Sequence, residues 1–140
     1  MIFRAPFPAL AALLSACAPA LAQDAAKGEA EFKKCKACHA IIAPNGTAIQ
    51  QGGKTGPNLY GIVGRTVASA DFAYGDSLKS VGAAGRTWDE AALAAYVANP
   101  TAWLKDATGD AGAKSKMSFK LARGGADMAA YLASVAPASE

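Results

Sequence analysis

The sequence has little to ligate a metal with: one histidine and three cysteines in 140 residues. A structural zinc site takes about four Cys or His ligands, and Cys17 lies in a segment expected to be removed, so the donors for such a centre are too few. A single histidine also excludes any centre held between two imidazoles. Alternation of apolar and polar residues, the mark of a half-buried strand, is missing throughout. That removes the strand-flanked folds in which Cys-x-x-Cys pairs act as redox dithiols. No repeat or linker divides the chain, and its one continuous apolar run is too short for a stable membrane span. The net charge is only +3, which lends little support to nucleic acid binding.

That apolar run opens the chain. Arg4 supplies a positive end, Ala9 to Ala18 is apolar, and Ala20-Leu21-Ala22 is an A-x-A cleavage site before Gln23, so residues 1–22 read as a secretory signal peptide. Leu14-Ser15-Ala16-Cys17 also matches a lipobox, which would make Cys17 a lipidated amino terminus; the well-formed later site favours release of a soluble protein. Residues 23–140 then form a single domain facing the periplasm. With Cys17 removed no odd thiol is left over, as expected in an oxidising compartment.

The mature segment reads as all-α. Asp24 can cap a helix through about His39 with Gly28, Phe32 and Cys35 on its buried stripe. Residues 40–59 carry Pro44-Asn45-Gly46, Gly52-Gly53 and Gly56-Pro57 and read as a loop long enough to wrap something. A short helix is expected from Asp76 to about Val81. Thr87 with Glu90 forms a capping box for a helix carrying Leu93, Tyr96 and Val97, stopped by Asn99-Pro100. Pro100 can open another helix bearing Trp103 and Leu104, residues 106–120 read as loop, and Met128, Tyr131, Leu132 and Val135 mark a last helix ended by Pro137.

Against this background Cys35-Lys36-Ala37-Cys38-His39 stands out. Two cysteines three apart on a helix lie within about one turn, so both sulfurs can reach one porphyrin edge as thioethers, with His39 beneath the iron. A plain disulfide is compatible with the two cysteines but gives no reason for the adjacent histidine. One covalently bound haem c is the expected cofactor.

With no second histidine, the sixth iron position falls to Met, Lys, water or nothing. Met128 sits on the apolar face of the last helix, where core packing accounts for it. Met117 stands in the irregular stretch Lys114-Ser115-Lys116-Met117-Ser118-Phe119, where no helix face asks for an apolar residue.

Taken together these residues resemble the small class I c-type cytochromes, most closely the bacterial cytochromes c2. The resemblance rests on Gly28 and Phe32 before the Cys35/Cys38/His39 motif, then on Lys54-Thr55-Gly56-Pro57-Asn58-Leu59-Tyr60-Gly61, Gly64-Arg65 and Phe72-x-Tyr74. It continues through Trp88, Tyr96, Asn99-Pro100, Lys116-Met117-Ser118-Phe119 and Tyr131-Leu132. It implies four to five helices wrapped around the haem, with the first and last crossing. It implies His39 and Met117 as axial ligands, with the Pro57 carbonyl accepting the proton of the His39 ring. By the same resemblance Arg65, Tyr74 and Trp88 hold a propionate, Tyr96 lies beside the Met117 sulfur and Phe119 near the haem edge. The loops at 40–55 and 104–116 are longer than in the mitochondrial form.

Such a protein would be a monomeric electron carrier rather than an enzyme, moving electrons from a cytochrome bc1 complex to a photosynthetic reaction centre or a terminal cytochrome oxidase. A haem sensor or enzyme with a displaceable sixth ligand, and a dedicated acceptor for one periplasmic dehydrogenase, are the alternatives. Charge is segregated in a way that suits docking. Residues 27–54 carry five Lys against two Glu and residues 105–123 carry five basic against two acidic residues, whereas residues 65–98 carry three basic and four acidic. A lysine-ringed haem edge facing acidic redox partners is the expectation.

Overall fold

The computed structural model describes residues 23–137. The expected signal segment and Cys17 lie outside them. Among the described residues five helices occur: α1 (Ala25–Phe32), α2 (Asp76–Ala83), α3 (Glu90–Ala98), α4 (Pro100–Thr108) and α5 (Gly125–Ser134). An antiparallel pair joins β1 (Ile41–Ile42) to β2 (Ala48–Gln50). No helix among the described residues is long and apolar enough to cross a membrane.

Asp24 caps α1: its carboxylate accepts from Ala26 N and Lys27 N at 3.0 and 3.2 Å, satisfying donors that a helix start leaves open. The helix then ends at Phe32 instead of running to His39. Lys33, Lys34 and Cys35 bond back three residues rather than four, which tightens the chain into successive turns. Carbonyls of the next residues are engaged from outside, Lys36 O by Gly53 N at 2.9 Å and Cys38 O by Gly56 N at 2.8 Å, so they are not free to continue a helix.

The hairpin is the second departure from expectation, because residues 40–59 are not wholly irregular. Ile41 is fully buried, and the Asn58 amide clamps Ile42 by accepting from its N–H at 2.9 Å and donating to its carbonyl at 2.8 Å. Strands of two and three residues are too short to show a period in the sequence.

The α3 cap also differs. Residues 87 and 88 are extended and paired with residues 64–66: Thr87 bridges Thr66, Trp88 N donates to Arg65 O at 2.9 Å, and Gly64 N donates to Trp88 O. Thr87 therefore cannot cap, and Asp89 does so by accepting from Ala92 N at 2.7 Å. Asn99 caps α4 through Ala102 N at 3.2 Å with Pro100 in the first turn, as expected. The helix extends to Thr108, where Gly109 ends it with φ 70°, a left-handed position that favours glycine.

The core is organised by the crossing of α1 and α5. A Cβ at Gly28 would fall on the Asp127 carbonyl, so only glycine lets the backbones approach. Phe32 packs on Tyr131 with ring centroids 5.9 Å apart. Asp24 N donates to Asp127 Oδ1 at 2.8 Å at one end, and Gln50 of β2 donates to the Tyr131 hydroxyl at 2.9 Å, tying hairpin to crossing. This frame holds α3, α2 and the two long irregular segments around one cavity.

Candidate cofactor site

The cavity has a volume of about 340 Å³ and is lined mainly by apolar side chains, among them Leu59, Ile62, Leu78, Leu93 and Leu132. Of the residues singled out in the sequence, Cys35, Cys38, His39, Pro57, Tyr74, Trp88, Tyr96, Met117 and Phe119 all line it, and Met128 does so as well. Arg65 does not. Its guanidinium donates from Nη1 to Tyr60 O and from Nη2 to Asn58 O, each at 3.2 Å, and its buried Nε has no partner.

His39 is fixed by the turn that carries it and by the glycine-rich segment folded over it. Its Nδ1 lies 2.8 Å from Pro57 O; a carbonyl can only accept, so the proton sits on Nδ1 and the Nε2 lone pair is left free. A Cβ at Gly56 would run into the imidazole ring, so the segment packs directly on it. Burial, partly offset by the Pro57 bond, lowers the His39 pKa and keeps the ring neutral, the form that ligates.

Cys35 and Cys38 are not joined in a disulfide, Cys35 half-buried and Cys38 exposed. Burial first, and the Glu31 charge second, push the Cys35 thiol up from 9.0 to about 11. A thiol so protonated is a poor metal ligand or redox nucleophile at neutral pH. Among the described residues no three His, Cys, Asp or Glu side chains cluster to hold a metal ion.

Met117 is held by a residue the sequence did not flag. Ser115 Oγ accepts from Met117 N at 3.1 Å and lies 3.3 Å from the Tyr96 hydroxyl. Lys114 N donates to Ser77 Oγ at 3.0 Å, and Lys116 Nζ donates to Ala73 O at 2.9 Å, so the segment before Met117 is pinned to the start of α2. A serine two residues before a loop methionine is the only trace of this in the sequence.

The residues present fit a haem. Two thiols and a neutral imidazole, the only three such donors among the described residues, face one apolar cavity with a thioether. The orphaned Arg65 donor is the kind of group that a buried carboxylate satisfies.

No family model matches the chain. It is 58% identical over 128 residues to cytochrome c2 of Rhodobacter capsulatus, covering 91% of this chain and 93% of that protein. To cytochrome c-550 of Paracoccus versutus it is 54% identical over 131 residues, covering 90% and 85%. Among solved structures, cytochrome c2 of Rhodobacter capsulatus superposes with a TM-score of 0.79 at 59% identity, covering 80% of this chain and 97% of that one. Ferric cytochrome c-550 of Paracoccus versutus gives 0.78 at 54% identity, covering 81% and 98%.

Proposed function

Since the chain belongs to the class I c-type cytochromes, close to the bacterial cytochromes c2, we propose that it is a periplasmic one-electron carrier built on a haem c that is joined to Cys35 and Cys38 and held between His39 and Met117. The haem would supply a ferric/ferrous couple. The observation that carries the reading is the convergence of Cys35, Cys38, His39 and Met117 on one apolar cavity, with the His39 proton held by Pro57 and its Nε2 free.

The chain's own residues then do three things. His39 and Met117 would occupy both axial positions, leaving no coordination site open to substrate or dioxygen, which suits a carrier rather than an enzyme. A soft thioether donor and apolar walls both favour the state of lower charge and so raise the potential. The bonds at Pro57, Ser115, Ala73 and Ser77 hold both ligand-bearing segments in place, so little must move when the electron arrives or leaves.

Lys34, Lys114 and Lys116 lie at the cavity and are exposed. They would steer the open edge toward acidic surfaces, here taken to be a cytochrome bc1 complex as donor and a reaction centre or cytochrome oxidase as acceptor. Export through the signal at residues 1–22 would place the monomer in the periplasm. Potentiometric titration of the holoprotein, with carbon monoxide added to a reduced aliquot, tests the ligation. A single high-potential haem inert to carbon monoxide is expected; a low potential with ready carbon monoxide binding would mean an open sixth position and a sensor or enzyme instead.

A further inference from the structure

Three aromatic rings stand in contact at one wall of the cavity. Trp88, 4% exposed, lines the cavity. It stacks on Trp103 of α4 with centroids 5.1 Å apart and planes 27° apart. Tyr96 meets both edge-on, at 5.1 Å from Trp88 and 5.4 Å from Trp103. Trp103 does not line the cavity, is only partly buried, and carries the exposed Arg86 guanidinium 5.2 Å above its ring. The stack therefore joins the cavity wall to solvent through π contact alone.

We propose that the Trp88–Trp103 pair is an exit for oxidising equivalents, by which damage started in the cavity by a peroxide is carried to the surface at Trp103. The proposal rests on the haem reading above. Reduction of one hydrogen peroxide to two waters takes two electrons and two protons. Peroxide would reach the iron only where Met117 has been displaced, and the ferrous haem would then supply one of the two electrons. The second comes from Trp88, is replaced from Trp103, and the Trp103 indole proton leaves to water, with solvent supplying the other proton. The neutral Trp103 radical then adds dioxygen to give a peroxyl radical, which one electron from a second ferrous protein and one proton from solvent convert to the indole hydroperoxide.

Two features send the charge this way rather than to Tyr96. A phenol gives up an electron readily only as its proton leaves. The Tyr96 hydroxyl faces only Ser115 Oγ at 3.3 Å, a weak base that does not take the phenolic proton. An indole can pass an electron first and release its proton where water reaches it. Arg86 sits over the ring and opposes a positive charge there, so Trp103 takes the charge only as its indole proton leaves to water, and that proton loss cuts off the reverse step to Trp88.

The test treats the purified ferrous holoprotein with a stoichiometric amount of hydrogen peroxide in air, with a scavenger of free hydroxyl radicals, and maps oxygen addition by peptide mass spectrometry. Haem content and absorbance are recorded separately, so a protein without covalent haem would count against the haem reading and not against the relay. Trp103 is expected to be the main oxygenated aromatic residue. Trp103→Phe should shift oxygenation to Trp88 and speed cofactor bleaching severalfold. Oxygenation confined to Tyr96 and the methionines, or bleaching unchanged in Trp103→Phe, would overturn the proposal.

Discussion

The hydroxyls of Ser115 and Tyr96 lie 3.3 Å apart, and the same Ser115 oxygen accepts from the backbone N–H of Met117. The serine therefore couples the proposed axial methionine to α3 through one atom. Ser115→Ala removes both bonds without adding bulk. A typical net hydrogen bond contributes about 1 kcal/mol, so a drop in holoprotein stability of that order is expected by chemical denaturation. Imidazole added to the ferric protein should displace Met117 at lower concentration than in the parent, read from the absorbance band of the methionine-ligated form.

The α1–α5 crossing gives a sharper stability test. A methyl at Gly28 would meet the Asp127 carbonyl and Tyr131 Cβ, so the helices must part. Overpacking of this kind costs on the order of 2–3 kcal/mol. Gly46, with φ 87° and nothing within 4 Å of an added Cβ, isolates the backbone effect alone, about 1 kcal/mol. Gly28→Ala should shift the denaturant midpoint well below that of Gly46→Ala.

Tyr96 carries a pH signature. Burial raises its pKa above the ordinary 10.0, with the Ser115 bond opposing. The unfolded chain would lose the phenolic proton first, so above that value the native state binds more protons than the unfolded one. The contribution is fully present below pH 10 and is lost as pH rises through the folded value, at no more than about 1.4 kcal/mol per pH unit. Thermal melts of Tyr96→Phe against the parent should show a shallower alkaline decline in the variant.

Much of the frame was legible because its determinants are local. Asn99-Pro100 announces a stop and a new start within two residues, and Gly28, Phe32 and Tyr131 fall at helical spacing on the two faces that cross. The features that were not legible depend on partners distant in sequence. Thr87-x-x-Glu90 fits a capping box perfectly well, yet residues 64–66 claim Thr87 and Trp88 for a bridge and hand the cap to Asp89. The turns after Phe32 depend on Gly53 and Gly56 reaching back to the Lys36 and Cys38 carbonyls, which no local pattern at residues 33–39 reveals. At the site, His39 and the cysteines could be named from spacing, whereas Ser115 could not, since a serine in a polar loop is unremarkable until Tyr96 is folded against it.

The lysines at the cavity give a prediction about encounter rather than stability. Lys34 is paired with Glu31 at 2.6 Å and Lys116 Nζ is bonded to Ala73 O, so each has a structural share in addition to its charge. Lys114 bonds Ser77 through its backbone N–H only, so its ammonium can be removed without disturbing that contact. An anionic oxidant such as ferricyanide should react more slowly with reduced Lys114→Gln than with the parent at low ionic strength, because one attractive charge beside the open edge is gone. A cationic oxidant such as tris(1,10-phenanthroline)cobalt(III) should react faster. Both differences should shrink as salt is raised, since the Debye length falls to about 8 Å at 0.15 M. Stopped-flow rates that respond alike to both oxidants, or that ignore salt, would show that Lys114 lies outside the field that guides partners to the edge.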